Sequence, residues 1–123
     1  MILADTSVWV EHFRKGNPAL GELLNRGVVL SHPFVVGELA CGNLGNRRAV
    51  LDYLRALPQA PLATDDEAMD LVEIHKLSGL GAGWIDVHLA ASALLSHADL
   101  WTLDQRLLRS AQKAGVSLHR PRL

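Results

Sequence analysis

Short apolar runs alternating with amphipathic stretches constrain this chain more than any other feature. Ile2-Leu3-Ala4, Val28-Val29-Leu30, Leu62-Ala63, Leu100-Trp101-Thr102-Leu103 and Val116-Ser117-Leu118 each read as a brief strand. Between them, apolar residues recur at helical spacing, as at Val50, Leu51, Leu54 and Leu57 within 47–57. Further helices are predicted over 7–15, from Pro18 to Gly27, from Pro33 to about Gly42, and over 65–77, 85–96 and 104–114. Thr64 with Glu67 has the form of a capping box, and Gly115 is a helix stop. Gly79 to Gly83 read as a flexible loop. Strand and helix in alternation predict an α/β sandwich, helices covering both faces of a central parallel sheet of four to five short strands.

The 123 residues suit a single domain spanning 1–123. No apolar run reaches the roughly 20 residues a membrane helix needs. Met1 leads straight into the first apolar run without a basic or cleavable segment, so the expectation is a soluble cytoplasmic protein. The single cysteine, Cys41, excludes an internal disulfide and a cysteine-based zinc site. Its apolar neighbours predict a buried thiol.

Most of the 13 acids have ordinary explanations as first-turn or solvated charges. Asp5, Glu38, Asp86 and Asp104 differ. Asp5 ends the first strand and Asp104 follows the strand at 100–103, both on the carboxyl edge where parallel sheets bind ligands. Glu38 interrupts an otherwise apolar helix, and Asp86 stands between Ile85 and Val87 at the start of the most apolar one. Asp5, Asp86 and Asp104 each also read as a helix cap. No Lys or Arg lies within a helical turn of Glu38 or Asp86, so a shared cation is the economical reading. An all-oxygen donor set suits Mg2+ or Mn2+, and the six histidines show no zinc-binding spacing. With these four acids neutralised, nine acids face 12 Lys and Arg, turning a net charge of −1 into +3. The balance permits a phosphate-bearing substrate without requiring one.

Four segments carry a resemblance. The string from Ile2 to Val10 with Asp5-Thr6-Ser7, Gly37-Glu38-Leu39 with Gly42, Gly83 to Ser92 around Asp86, and Leu100 to Leu107 around Asp104 resemble, in order and spacing, the four acidic motifs of PIN-domain proteins of the VapC toxin type. The resemblance implies a PIN-like fold and a Mg2+- or Mn2+-dependent endoribonuclease acting as the toxin of a toxin–antitoxin pair. It also implies an antitoxin partner, a homodimer, and Asp5, Glu38, Asp86 and Asp104 as the catalytic and metal-binding set. Ser7 and Thr102 match small hydroxyl positions that hold a ligand carboxylate or a water; each also reads as an ordinary helix-start or strand residue.

RNA must be drawn to an acidic site. Arg106, within one turn after Asp104, and Trp84, two residues before Asp86, are the candidate phosphate-binding and base-stacking residues, against readings as a solvated charge and a core or interface tryptophan. Two other classes compete. A phosphoreceiver domain needs an acidic pair after its first strand and a lysine after its last; here Asp65-Asp66 opens a helix and no lysine follows Lys113. A catalytically silent partner-binding domain has no use for four clustered carboxylates.

Overall fold

Three strands pair where short apolar runs meet the sheet centre. The computed structural model describes residues 1–121; the last two positions of the expected domain lie outside them. The elements are β1 (Ile2–Ala4), α1 (Thr6–Lys15), α2 (Pro18–Asn25), β2 (Val29–Leu30), α3 (Pro33–Ala40), α4 (Arg47–Ala56), α5 (Asp65–His75), α6 (Trp84–Ser96), β3 (Asp99–Trp101) and α7 (Gln105–Lys113). The sheet order is β2-β1-β3 with both pairings parallel, Leu3 standing opposite Leu30 on one side and Leu100 on the other.

Two of the expected strands are corrected. The segment 116–118 contributes one bridge, Leu118 to Leu100. No strand forms at Leu62-Ala63; the chain instead touches the opposite edge at Gln59, through Ser31 N–H to the Pro58 carbonyl (2.8 Å) and Ala60 N–H to the Ser31 carbonyl (2.7 Å). Pro58 and Pro61 bracket this contact and lack the N–H groups that would extend it. Among the described residues the expected four or five strands are therefore three, with one bridge at each edge.

Helix boundaries follow local chemistry. Asn17 accepts from Leu20 N–H and Pro18 takes the first turn of α2; His32 accepts from Phe34 N–H ahead of Pro33 in α3. Gly16, at φ 81°, turns the chain between α1 and α2. The capping box forms as expected: Glu67 N–H donates to Thr64 Oγ1 (3.0 Å) and Thr64 N–H to Glu67 Oε1 (2.8 Å).

The core is one contiguous cluster around the sheet. In α6 every residue from Val87 to Ala93 is buried, as its nearly uniform apolar composition requires. Trp9 and Trp101 are core residues. Each fully buried leucine, such as Leu3, Leu89 or Leu100, stabilises the fold by about 2 kcal/mol. Cys41 departs from expectation: α3 ends at Ala40, so the cysteine lies past the helix and is exposed. Among the described residues no helix is long and apolar enough to cross a membrane.

Candidate active site

The carboxyl ends of β1 and β3 lie side by side, because Asp5 N–H donates to the Trp101 carbonyl (3.0 Å) and carries the ladder one residue beyond the strands. Asp5 and Thr102 thus face each other across neighbouring strands. Asp5 is the one buried acid of the four predicted, at 4% exposure. Its Oδ1 accepts from Ser7 Oγ (2.5 Å) and Val8 N–H (3.2 Å), and its Oδ2 accepts from Thr102 Oγ1. The two hydroxyls are themselves fixed, Ser7 Oγ accepting from Leu103 N–H (2.9 Å) and Thr102 Oγ1 from Asp104 N–H (3.0 Å). Burial raises the Asp5 carboxyl above its ordinary value, and these donors only partly offset it.

Asp86, half-buried in the first turn of α6, accepts from Gly83 N–H at 3.4 Å. Its carboxyl is also raised, first by burial and then by the charges of Asp104, Asp5 and Glu38, with the Gly83 hydrogen bond opposing. The four acids therefore share one electrostatic neighbourhood. Asp104 goes the other way. Burial would raise it, but hydrogen bonds from Arg106 N–H and from its side chain, and the guanidinium charge, hold the carboxyl below its ordinary value. Glu38 is exposed on α3, a departure from the buried position its apolar neighbours suggested, and accepts from Thr6 Oγ1 at 2.8 Å.

Capping and clustering are therefore not alternatives. Asp5 caps α1, Asp104 caps α7 and Asp86, in the first turn of α6, accepts from the N–H of its N-cap Gly83, so the three acids stand at three helix N-termini. Their dipoles lower the cost of gathering like charges. Thr6 was not among the predicted site residues. Its only sequence signal is adjacency to Asp5, and the helix turn directs its hydroxyl to Glu38.

Arg106 is exposed and ion-paired with Asp104 (Nε to Oδ1, 3.4 Å). Its stem lies over the glycine loop, and a Cβ on Gly81 would meet Arg106 Cδ at 3.0 Å. Gly81 also has φ 90°, which strains any side chain there, while the exposed Arg106 stem would have to give by a few tenths of an ångström. Gly81→Ala is expected to cost about 1–2 kcal/mol in chemical denaturation; unchanged stability would mean the loop and the Arg106 stem move freely. Trp84 is exposed at the start of α6, edge-on to His88 with ring centroids 4.8 Å apart, and is not a core residue.

Among the described residues no three acidic, imidazole or thiol groups form a ready-made metal cage. The donor set nevertheless fits a hard divalent ion. It is all oxygen, it contains a carboxyl raised by burial and then by three neighbouring acids, and Mg2+ commonly keeps water beside one or two carboxylates.

The model of the PIN domain matches residues 2–113. Ribonuclease VapC32 from two strains of Mycobacterium tuberculosis (CDC 1551 / Oshkosh and ATCC 25618 / H37Rv) is 45% identical over 119 residues, covering 96% of this chain and 96% of the relative. Among solved structures, FitAB bound to an IR36 DNA fragment superposes with a TM-score of 0.68 at 18% identity, over 97% of this chain and 94% of the other. FitAcB from Neisseria gonorrhoeae gives 0.68 at 21% identity, over 98% and 97%. At these identities the two structures speak to the fold alone.

Proposed function

The chain belongs to the PIN-domain family, and from that premise we propose that it is a Mg2+- or Mn2+-dependent endoribonuclease of the VapC toxin type, held in check by an antitoxin protein. The observation that carries the reading is geometric: Asp5, Asp86 and Asp104 stand at the starts of α1, α6 and α7, Thr102 ties Asp5 to Asp104, and Thr6 beside Asp5 holds Glu38. A fold gains nothing from gathering like charges in this way unless a cation offsets them. The 45% identity to a ribonuclease over nearly the whole chain supports the same reaction class.

Asp5 and Asp86 would hold the ion directly, with Glu38 and Asp104 completing the surroundings. When bound, such an ion neutralises charge on the phosphate and makes water acidic enough to attack near neutral pH. The chain's own residues supply orientation. Ser7 and Thr102 lock both oxygens of Asp5, and Thr6 fixes Glu38. Glu38 faces solvent and orients the attacking water. Arg106 holds Asp104 ionised and offers its exposed guanidinium to the RNA phosphate. The water oxygen bonds to phosphorus and the bond to the 3′-oxygen breaks, leaving a 5′-phosphate and a 3′-hydroxyl.

The antitoxin has a suitable surface close by. Val10, Phe13, Leu39, Leu44 and Val50 line a cavity of about 470 Å³ that opens beside Thr6 and Glu38. An apolar segment docked there would cover the approach to the acids. The deciding experiment incubates the antitoxin-free protein with total RNA in Mg2+, in Mn2+ and in EDTA. Discrete fragments with 5′-phosphates, present with metal and absent with EDTA, are the expected result. Intact RNA under every condition would end the reading in favour of a partner-binding domain.

A further inference from the structure

A second cleft opens at the carboxyl end of β3. Its volume is about 600 Å³, and its wall includes Trp101, Thr102, Leu103, Gln105, His119 and Arg120. Thr102 belongs to both places, since its hydroxyl holds Asp5 while its residue lines the cleft. Gln105 follows Asp104 directly, in the first turn of α7. Anything bound in the cleft therefore lies next to the groups proposed to act on phosphate.

The lining has the chemistry of a nucleotide site. The His119 ring stands edge-on to Trp101 with centroids 4.9 Å apart, and its backbone N–H donates to the Leu100 carbonyl at 2.9 Å. The main chain is thus held to β3, and the ring packs on Trp101 and is otherwise half-exposed. Burial lowers its pKa from the ordinary value, with Asp99 opposing, which leaves a neutral flat surface at neutral pH. Gln105 is exposed and carries both a donor and an acceptor, as a base edge requires. Arg120 is an exposed cation at the rim. Asn17 and Glu11 also border the cleft but are engaged elsewhere: Asn17 Oδ1 caps α2 and its Nδ2 donates to Glu11 at 3.3 Å.

We infer that this cleft receives one unpaired ribonucleotide flanking the bond to be cut, its base stacked on His119, its edge read by Gln105 and its phosphate held by Arg120. The inference rests on the ribonuclease reading for its substrate and adds where the nucleotide beside the cut sits and which residues hold it. A paired base has both faces stacked and its edge occupied, so a duplex cannot offer these groups. The cleft would set which nucleotide neighbours the cut, while the acids set where the cut falls.

The test measures fluorescence anisotropy of a short labelled single-stranded RNA of mixed sequence, in EDTA so that binding is read without cleavage. Wild type is compared with His119→Ala, Gln105→Ala and Arg120→Ala. Gln105 and Arg120 are exposed, so their variants keep the fold, and melting temperatures confirm it for all three. His119→Ala should weaken binding about tenfold, within the range for loss of one base–aromatic stack. Arg120→Ala should lower the salt slope by about one. In cleavage assays with metal, Gln105→Ala should raise KM and broaden the nucleotide preference beside the cut, with kcat little changed. The corresponding duplex should bind more weakly than the single strand. Unchanged anisotropy in all three variants, or equal affinity for duplex, would overturn the cleft and leave the nuclease reading intact. If wild type binds RNA through these residues but cuts none, the cleft stands and the nuclease reading falls.

Discussion

Asp86→Asn is expected to lower kcat/KM for RNA cleavage by about a hundredfold or more while raising, not lowering, the melting temperature of the metal-free protein. The first half follows from the role proposed for the carboxylate. Loss of a group that merely supports a metal ligand costs about 10–100-fold, and a direct ligand should cost at least as much. The second half follows from the direction of the pKa. A carboxyl raised in the folded state is one whose ionised form the fold disfavours. Asparagine keeps an oxygen for Gly83 N–H, keeps the volume and removes the charge that faces Asp5, Glu38 and Asp104. Calorimetry in EDTA, beside RNA cleavage in Mn2+, reads both effects on one preparation. A variant that loses activity because it melts early would place Asp86 among structural caps. One that retains activity would remove it from the site.

The same opposition explains what could be read from the sequence. Acids at strand ends and helix starts are visible as a pattern, so Asp5, Asp86 and Asp104 could be proposed together from their positions alone. Their exposure could not. Glu38 looked buried because its neighbours are apolar, yet α3 turns it to solvent, where Thr6 meets it from α1. The strand count was overread at Leu62-Ala63, where apolar character suggested pairing but Leu62 is 57% exposed. The prolines on either side of Gln59, not hydrophobicity, set where the edge contact falls. Cys41 failed for a similar reason: composition marks an apolar stretch but does not mark the residue at which the helix stops. Trp84 shows the limit for aromatic residues, since its place at a helix start beside a glycine loop outweighed its tendency to be buried.

What no local pattern reveals is a contact between distant segments, and one of these dominates the expected behaviour in acid. Stability should fall by about 3 kcal/mol as pH drops from 6.5 to about 4, and His32→Asn should remove that part of the slope. His32 is fully buried. Its Nδ1 accepts from Phe34 N–H (3.0 Å), which puts the ring proton on Nε2, facing Ser92 Oγ at 3.0 Å. This tautomer joins the start of α3, which carries Glu38, to the middle of α6, which carries Asp86. Burial, with a smaller contribution from nearby His88, lowers the His32 pKa from 6.5 to about 4. The sign is therefore that of a histidine kept neutral. Above pH 6.5 neither state is protonated and the contribution is complete; between 6.5 and about 4 the unfolded chain takes up a proton that the folded one refuses. Near the lower limit His32 itself protonates, and Nδ1 can no longer accept from Phe34. Asparagine remains a good cap but carries no titrating ring. Urea unfolding across this range, taken as the difference between wild type and His32→Asn, cancels the contributions of His119, Asp5 and Asp86. Parallel curves would show that His32 titrates alike in both states, and its burial would then not link folding to pH.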